Sequence, residues 1–325
     1  MKRLLAASAM AAGLLATAAL LVPAQADDYP SRPIHVLTTS SAGGISDIFL
    51  RVLSDALAPH INNQRLIVEN KPGGAGNIAA RACTEAEPDG YTICIINADT
   101  VVYNQFLFKK LPFEPQKLTP IANLFHLIQV MVINSDLKAK TVDELIAESK
   151  AKPGTMNYLT ASVPMAVYMD SLKNDKGADW VRVPFRGGGE ATSAVLSGTT
   201  PIAIIGLGNV ISQIKAGKMR ALELVNNIRS PQLPNTPTLA DTGYKGAPST
   251  TWYGLFAPAG TPKAIIDKLN TEINKVASDK DFQEKFIIAR SLVPALGTPE
   301  EFAATIKSES VVAKDVVKAS GLPLR

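Results

Sequence analysis

The stretch PIHVLTTSSAGGISDIFLRVLSDAL, residues 33–57, decides the fold. Residues 33–39, which begin with the apolar run PIHVL, read as a strand. Residues 46–58 read as a helix, because Ile45, Ile48, Phe49, Val52, Leu53, Ala56 and Leu57 recur at helical spacing. Between them lies TTSSAGGISD, residues 38–47, in which the hydroxyls of Thr38, Thr39, Ser40 and Ser41 precede Ala42, the pair Gly43-Gly44, and Ser46-Asp47. The unit then repeats. RLIVEN (65–70) is a strand, KPGGAGN (71–77) a loop, 77–86 a helix, Pro88-Asp89-Gly90 a turn, and YTICIIN (91–97) a third strand. Repeated strand–loop–helix units argue a parallel sheet with helices on its faces.

The extended run PIANLFHLIQVMVI (120–133) follows, and the pattern restarts. TVDELIAESKA (141–151) is a helix with Thr141 as N-cap and Glu144 three residues on, a capping box. Strands are expected at 155–160, 180–185, 201–206 and 220–225, with helices at 164–173 and about 190–197. A second extended run, TWYGLFA (251–257), precedes helices at 262–277, 279–289 and 299–319. The class is therefore α/β, with two lobes and a cleft between them. The extended runs are the crossings, which divides the chain into a discontinuous first lobe (27–125 and 250–325) and a second lobe (126–249).

Three loops open directly into helices and are rich in Gly or Ser: 40–47, 71–77 and 186–190; TASVP (160–164) is similar without Gly. The first amides of a helix lack internal partners and carry partial positive charge. Glycine lets such an end approach a ligand closely, and these ends bind anions, carboxylates included. In open α/β sheets the ligand lies beyond the carboxyl ends of the strands, where these loops are. One such loop is ordinary turn and cap usage; several in both halves favour an anion held in the cleft.

The net charge is +4, or +2 without Lys2 and Arg3, and no basic run or basic-aromatic stripe suggests a nucleic-acid partner. MKRLL, the apolar run from Leu4 to Val22 and Ala24-Gln25-Ala26 form a secretory signal peptide (1–26), with cleavage expected after Ala26. The competing reading is a membrane anchor, which the Ala-rich run and the small-x-small site disfavour. No twin-arginine pair is present, so export is expected to precede folding, and no cofactor is expected. Cys83 and Cys94, the two cysteines, are either a disulfide or two small buried residues. Together with His35, His60 and His126 they offer no metal-ligand spacing.

Some motifs point elsewhere. Gly74-Ala75-Gly76-Asn77-Ile78-Ala79 matches the dinucleotide-binding pattern, with Asp99 after the next strand. A secreted dinucleotide-dependent enzyme is thus a rival, weakened by Pro72 at the loop entry and by unfolded export. Ser135 to Lys138 and Ser212 to Lys215 match S-x-x-K without the companion motifs of that class. No catalytic set emerges, and the chain is not expected to be an enzyme.

YPSRPIHVL, SAGGISD, VENKPGGAGNIAA, EPDGYT, LPFEP, VDELIAESKAKPGTMNY, VPFRGG, IKAGKMRAL, RSPQLPNTPTLADTGY, TWYGLFAPAGTPKAIIDKLN and TPEEFAA occur in this order. In these segments the chain resembles the periplasmic solute-binding proteins of tripartite tricarboxylate transporters, the Bordetella uptake gene family. The resemblance covers essentially the whole mature chain. It implies a Venus-flytrap fold, a monomer, and uptake of a small organic carboxylate handed to a membrane permease. It also implies a ligand site at Ser40, Ser41, Ala42, Gly43, Gly44, Ser46 and Asp47, faced from the other lobe by Thr160, Ala161 and Ser162 and by Phe185, Arg186, Gly187 and Gly188. The chain departs from the family at Ser40-Ser41-Ala42, where prolines are common, at residues 160–164, and at Ile204-Ile205-Gly206-Leu207-Gly208, where Asp, Phe and Asn are usual. A more apolar second lobe follows, which favours an aromatic or longer dicarboxylate over a citrate-like ligand. A ligand-sensing partner of a membrane sensor kinase is the alternative role for the same fold and cleft.

Overall fold

Repeated strand–loop–helix units build two mixed sheets. A computed structural model describes residues 28–160, 162–183, 188–244, 251–319 and 324. The signal peptide reading (1–26) and the site residues Ala161, Phe185, Arg186 and Gly187 lie outside the described residues.

β1 (Ile34–Thr38) is followed by α1 (Ile45–Leu57), β2 (Leu66–Asn70) by α2 (Asn77–Thr84), and β3 (Thr92–Asn97) by a wide turn and the short α3 (Asn104–Leu107). β1 pairs in parallel with both β2 and β3. The first extended run is two strands, β4 (Leu118–Leu127) and β5 (Gln129–Asn134), which belong to different sheets, so the chain passes between sheets at Ile128. α4 (Val142–Ala151), β6 (Asn157–Thr160), α5 (Val163–Lys176), β7 (Val181–Arg182), α6 (Gly188–Ser197), β8 (Ile202–Gly206) and β9 (Met219–Leu224) follow. β10 (Thr251–Pro258) rejoins the first sheet and pairs antiparallel with β3 and β4. With a last strand, β11 (Leu292–Pro294), the orders are β11-β4-β10-β3-β1-β2 and β7-β6-β8-β5-β9.

Two readings change. The helix expected at 279–289 holds only as Lys280–Phe282; it loosens into wide and tight turns, and β11 (Leu292–Pro294) then adds an edge strand to β4. The capping box at α4 is half as expected. Thr141 Oγ1 accepts the Glu144 amide at 3.1 Å, but the Glu144 carboxylate takes the Lys140 amide at 2.7 Å.

Each sheet is buried on both faces, which explains its near-continuous apolar strands. On one face of the first sheet Ile34, Val36, Phe125 and Leu255 pack against Phe49, Leu50 and Leu53 of α1 and Leu269 of the helix Lys263–Ala277. On the other, Ile96, Trp252 and Phe256 meet Phe302 and Val317 of the helix Pro299–Ala319. In β5 the alternation is visible: Met131 and Ile133 face Tyr158, Trp180 and Met169, while Val130 and Val132 face Val195 and Leu224.

Cys83 of α2 and Cys94 of β3 form a disulfide, fully buried in the first lobe. It ties the helix to the strand it covers across a sequence separation of 11. Closing so short a loop in the unfolded chain is worth about 3 kcal/mol in the chain-entropy account. The double variant Cys83→Ala/Cys94→Ala is expected to lose stability of about that size. Urea unfolding of the oxidised protein and the variant measures it; equal midpoints contradict the expectation.

Candidate functional site

The loop between β1 and α1 is held by a network of short polar bonds. Ser46 Oγ lies 2.7 Å from Thr38 Oγ1 and 2.6 Å from Ser40 Oγ. The buried Asp47 carboxylate accepts the Gly43 amide at 2.9 Å, the Arg51 guanidinium at 2.9 Å and the Asn70 amide group at 3.0 Å. Asn70, at the end of β2, also donates to the Ser40 carbonyl at 3.0 Å. The Gly44 amide turns back to the Ser41 carbonyl at 2.9 Å. Gly44 is the N-cap of α1 and has no side chain to cap with, so the first turn of the helix faces outward as bare backbone.

That face borders a cavity of about 580 Å³ between the two sheets. Ser40, Ser41, Gly43 and Gly44 line it from the first lobe, with Gly73, Ala75 and Gly76 of the second loop beside them. Ser162 and Gly189 face them from the second lobe, together with Ile204, Ile205 and Gly206 at the end of β8. The apolar second-lobe wall anticipated at 204–208 is thus present over Ile204 and Ile205. Between them stand the ends of both crossings: Leu127 and Gln129, and Thr251 and Tyr253.

The remaining candidates fall into groups. Ser46 and Asp47 are buried, and their side chains serve the protein, tying the loop from below. Ala42 is exposed and outside the cavity wall. Thr160 is buried at the end of β6. Gly188 begins α6. Among the described residues, Gln129 Oε1 and Ser162 Oγ of the cavity wall, and Thr160 Oγ1 at the end of β6, are buried without a hydrogen-bond partner. Buried polar groups are normally satisfied, so orphans clustered at a cavity mark where a polar guest or water completes them.

The dinucleotide-like loop is a structural device. Gly73, Gly74, Ala75 and Gly76 all take positive φ, and the Ala75 carbonyl is pinned by Thr100 Oγ1 at 3.1 Å and Asn104 Nδ2 at 2.9 Å. A Cβ on Gly76 would stand 2.2 Å from Thr100 Oγ1.

Asp99, read from sequence as the acid of that dinucleotide pattern, instead sits in the cavity wall. It accepts a long bond, 3.4 Å, from the Val163 amide at the start of α5, across the cleft. Burial pushes its carboxyl up to about 6, against the Val163 amide; Glu309 adds to the rise and Arg182 opposes it. Asp47 goes the other way: burial raises it, but the bonds from Arg51, Gly43 and Asn70 outweigh burial and hold it below its ordinary range.

Asn97, Gln129, Asn209, Thr251 and Tyr253 are cavity residues that sequence reasoning did not single out, and Asp99 is one it placed in another role. A signal existed for some. Asn97 and Asp99 lie at the carboxyl end of β3, where ligands gather in such sheets. Gln129 is the polar residue interrupting LIQVMVI at the first crossing.

Two α/β lobes around a polar cleft, without a cluster of three or more metal-ligating acids, His or Cys among the described residues, define a solute-binding protein of the periplasmic two-lobed type. The chain belongs to the tripartite tricarboxylate transporter family of receptors, whose model matches residues 49–322. It is 30% identical over 317 residues to protein BugT of Bordetella pertussis, covering 96% of both chains. Among solved structures it is similar to one described as a periplasmic transporter, with TM-score 0.82, 32% identity and coverage of 91% of this chain and 100% of the other. It is also similar to MatC of Rhodopseudomonas palustris with bound malate, with TM-score 0.77, 27% identity and coverage of 89% and 100%. The family is one of substrate-binding proteins rather than enzymes. No helix among the described residues is long and apolar enough to cross a membrane.

The two acids carry opposite linkage. Asp47 has a lowered folded value, so its contribution is present above the ordinary carboxylate range and is lost as pH falls through the folded value. Asp99 has a raised value, so the folded state binds more protons below about 6 and stability falls as pH rises through that window. Asp47→Asn is expected to lower stability at pH 7.5 by about 2 kcal/mol, converging on the parent in acid. Asp99→Asn is expected to melt roughly 2 °C higher than the parent at pH 7.5, with the gain vanishing as pH falls to about 4. Thermal melts of both variants across pH 4–8 check this pair of signs.

Proposed function

We propose that this protein captures a small organic carboxylate in the inter-lobe cleft and delivers it to the membrane permease of a tripartite tricarboxylate transporter. The observation that carries this reading is the uncapped first turn of α1, opening onto a cavity that also holds orphaned polar atoms. Backbone amides at a helix start, flanked by Ser40 and Ser41 hydroxyls, suit a carboxylate without an arginine. The malate bound by MatC, a structure of similar fold, supports the ligand class. The lobes, taken as 27–125 with 250–325 and as 126–249, close on the ligand about the two crossings, the first of which passes between the sheets at Ile128. Export with cleavage after Ala26 delivers the protein to the periplasm as a monomer. N-terminal sequencing of the exported protein is expected to begin at Asp27, and an intact Met1 in membranes contradicts that.

The loop itself can be tested. A Cβ on Gly44 would meet Ser40 Cβ at 2.8 Å and the Ser41 carbonyl at 3.0 Å, so any larger residue displaces the cradle. Losing a charge-assisted hydrogen bond costs roughly 1.5–3 kcal/mol, about ten- to a hundredfold in affinity. With a ligand found by a thermal-shift screen of mono-, di- and tricarboxylates, Gly44→Val is expected to weaken binding by at least tenfold while remaining folded. Gly76→Ala, which strains the positive φ and meets Thr100, is expected to lower stability first. Calorimetry and melts of both variants decide it; a folded Gly44→Val with parental affinity places the anion elsewhere.

A further inference from the structure

The cavity wall carries one charged side chain among the described residues, and it is an acid. Asp99 stands in the same cavity as the α1 amides, with no Lys, Arg or His beside it in the described wall. Arg182, whose field reaches Asp99, donates to the Thr160 carbonyl at 3.0 Å and is not part of that wall. Glu309 also bears on Asp99 and is engaged by Trp252 Nε1 at 2.8 Å.

The position of Asp99 has two effects on a guest. Its bond to the Val163 amide places a protein carboxylate at the start of α5, where the second lobe would otherwise offer an anion the positive end of a helix. In a cavity of about 580 Å³ a second ligand carboxylate is held in the same confined space as the Asp99 carboxylate, where screening by salt is weak. A like charge in a partly dry cleft is costly, whereas a hydroxyl or amine meets an acceptor. The buried Gln129 Oε1, which lacks a donor, adds a second acceptor in this wall. The α1 end of the cavity thus offers backbone amides with the Ser40 and Ser41 hydroxyls, while Asp99 and Gln129 Oε1 add two acceptors elsewhere in the wall.

From this geometry we propose that Asp99 is a specificity-determining residue that makes the cleft select monocarboxylates carrying a hydroxyl or amine at the far end, against fully ionised dicarboxylates of the same length. This rests on the carboxylate-binding reading above and narrows it. It also departs from the dicarboxylate preference drawn from the apolar wall, because charge outweighs the length of an apolar path.

The test pairs each hydroxy acid with its diacid: 4-hydroxybutyrate with succinate, 6-hydroxyhexanoate with adipate, and 4-(hydroxymethyl)benzoate with terephthalate. Calorimetry at pH 7.5 uses the parent protein, Asp99→Asn and Asp99→Ser, each checked for folding by circular dichroism. The parent is expected to bind the hydroxy acid of the accommodated pair at least tenfold tighter than its diacid. Both variants are expected to gain at least tenfold for the diacid, narrowing or reversing the ratio. A parent that binds diacids as well as hydroxy acids overturns the proposal, as does a ratio unchanged in both folded variants. In those cases the carboxylate reading stands if Gly44→Val abolishes the binding seen. Failure of every acid to bind parent and variants alike overturns both.

Discussion

The site depends on one buried carboxylate that never needs to touch a ligand. Asp47 gathers the Gly43 amide, the Arg51 guanidinium and the Asn70 amide group onto its two oxygens. Those three bonds fix the loop at the mouth of the cleft, the first helix behind it and the neighbouring strand beside it. A loop of serines and glycines loses much backbone freedom on ordering. Here that cost is met by charge-assisted bonds, which are stronger than neutral ones. With the acid anchored on Arg51, the first turn of α1 can leave its amides facing the cavity.

Asp47 and Asp99 show how two identical side chains take opposite parts. Asp47 is surrounded by donors and stays ionised at low cost. Asp99 is partly buried, accepts among the described residues a long bond from Val163, and holds its charge against desolvation. The donor-rich acid stabilises the architecture, and the donor-poor acid shapes the chemistry of the cavity. Asp47, in the first turn of α1, lies beneath the cradle, and Asp99, just past β3, lies in the cavity wall.

Much of this was legible in the residues. The helical spacing from Ile45 to Leu57, the small polar loop before it and the two long extended runs were enough for two α/β lobes joined by crossings. Local patterns of this kind report backbone preference and facing, which is what a strand–loop–helix fold needs. The wall of the cavity was less legible, because it is assembled from segments far apart in the chain: Asp99, Gln129, Thr251 and Gly206 meet only in space. The part Asp47 plays in fixing the loop was not legible, because its partner Asn70 lies on another strand, far from it in the chain. The edge strand Leu292–Pro294 fell between two expected helices and was not read at all, since its pairing with β4 decides the conformation of so short a segment. The disulfide required knowing that α2 lies on β3 with its cysteines facing, which spacing alone left open.

The threading of the sheets also sets an order of events for the nascent chain. The second sheet is built from one contiguous stretch, Gln129 to Leu224, so its strands are complete well before the C-terminus emerges. The first sheet is not. Its central strand, β10, arrives only at Thr251–Pro258, after the whole of the other sheet, and inserts between β3 and β4. Until then β3 and β4 have an unfilled gap between them, with open hydrogen-bonding edges of the kind that invites pairing with other chains. The first lobe to be synthesised is thus the last to close, and its vulnerable interval lasts until Thr251–Pro258 is available to fill the gap.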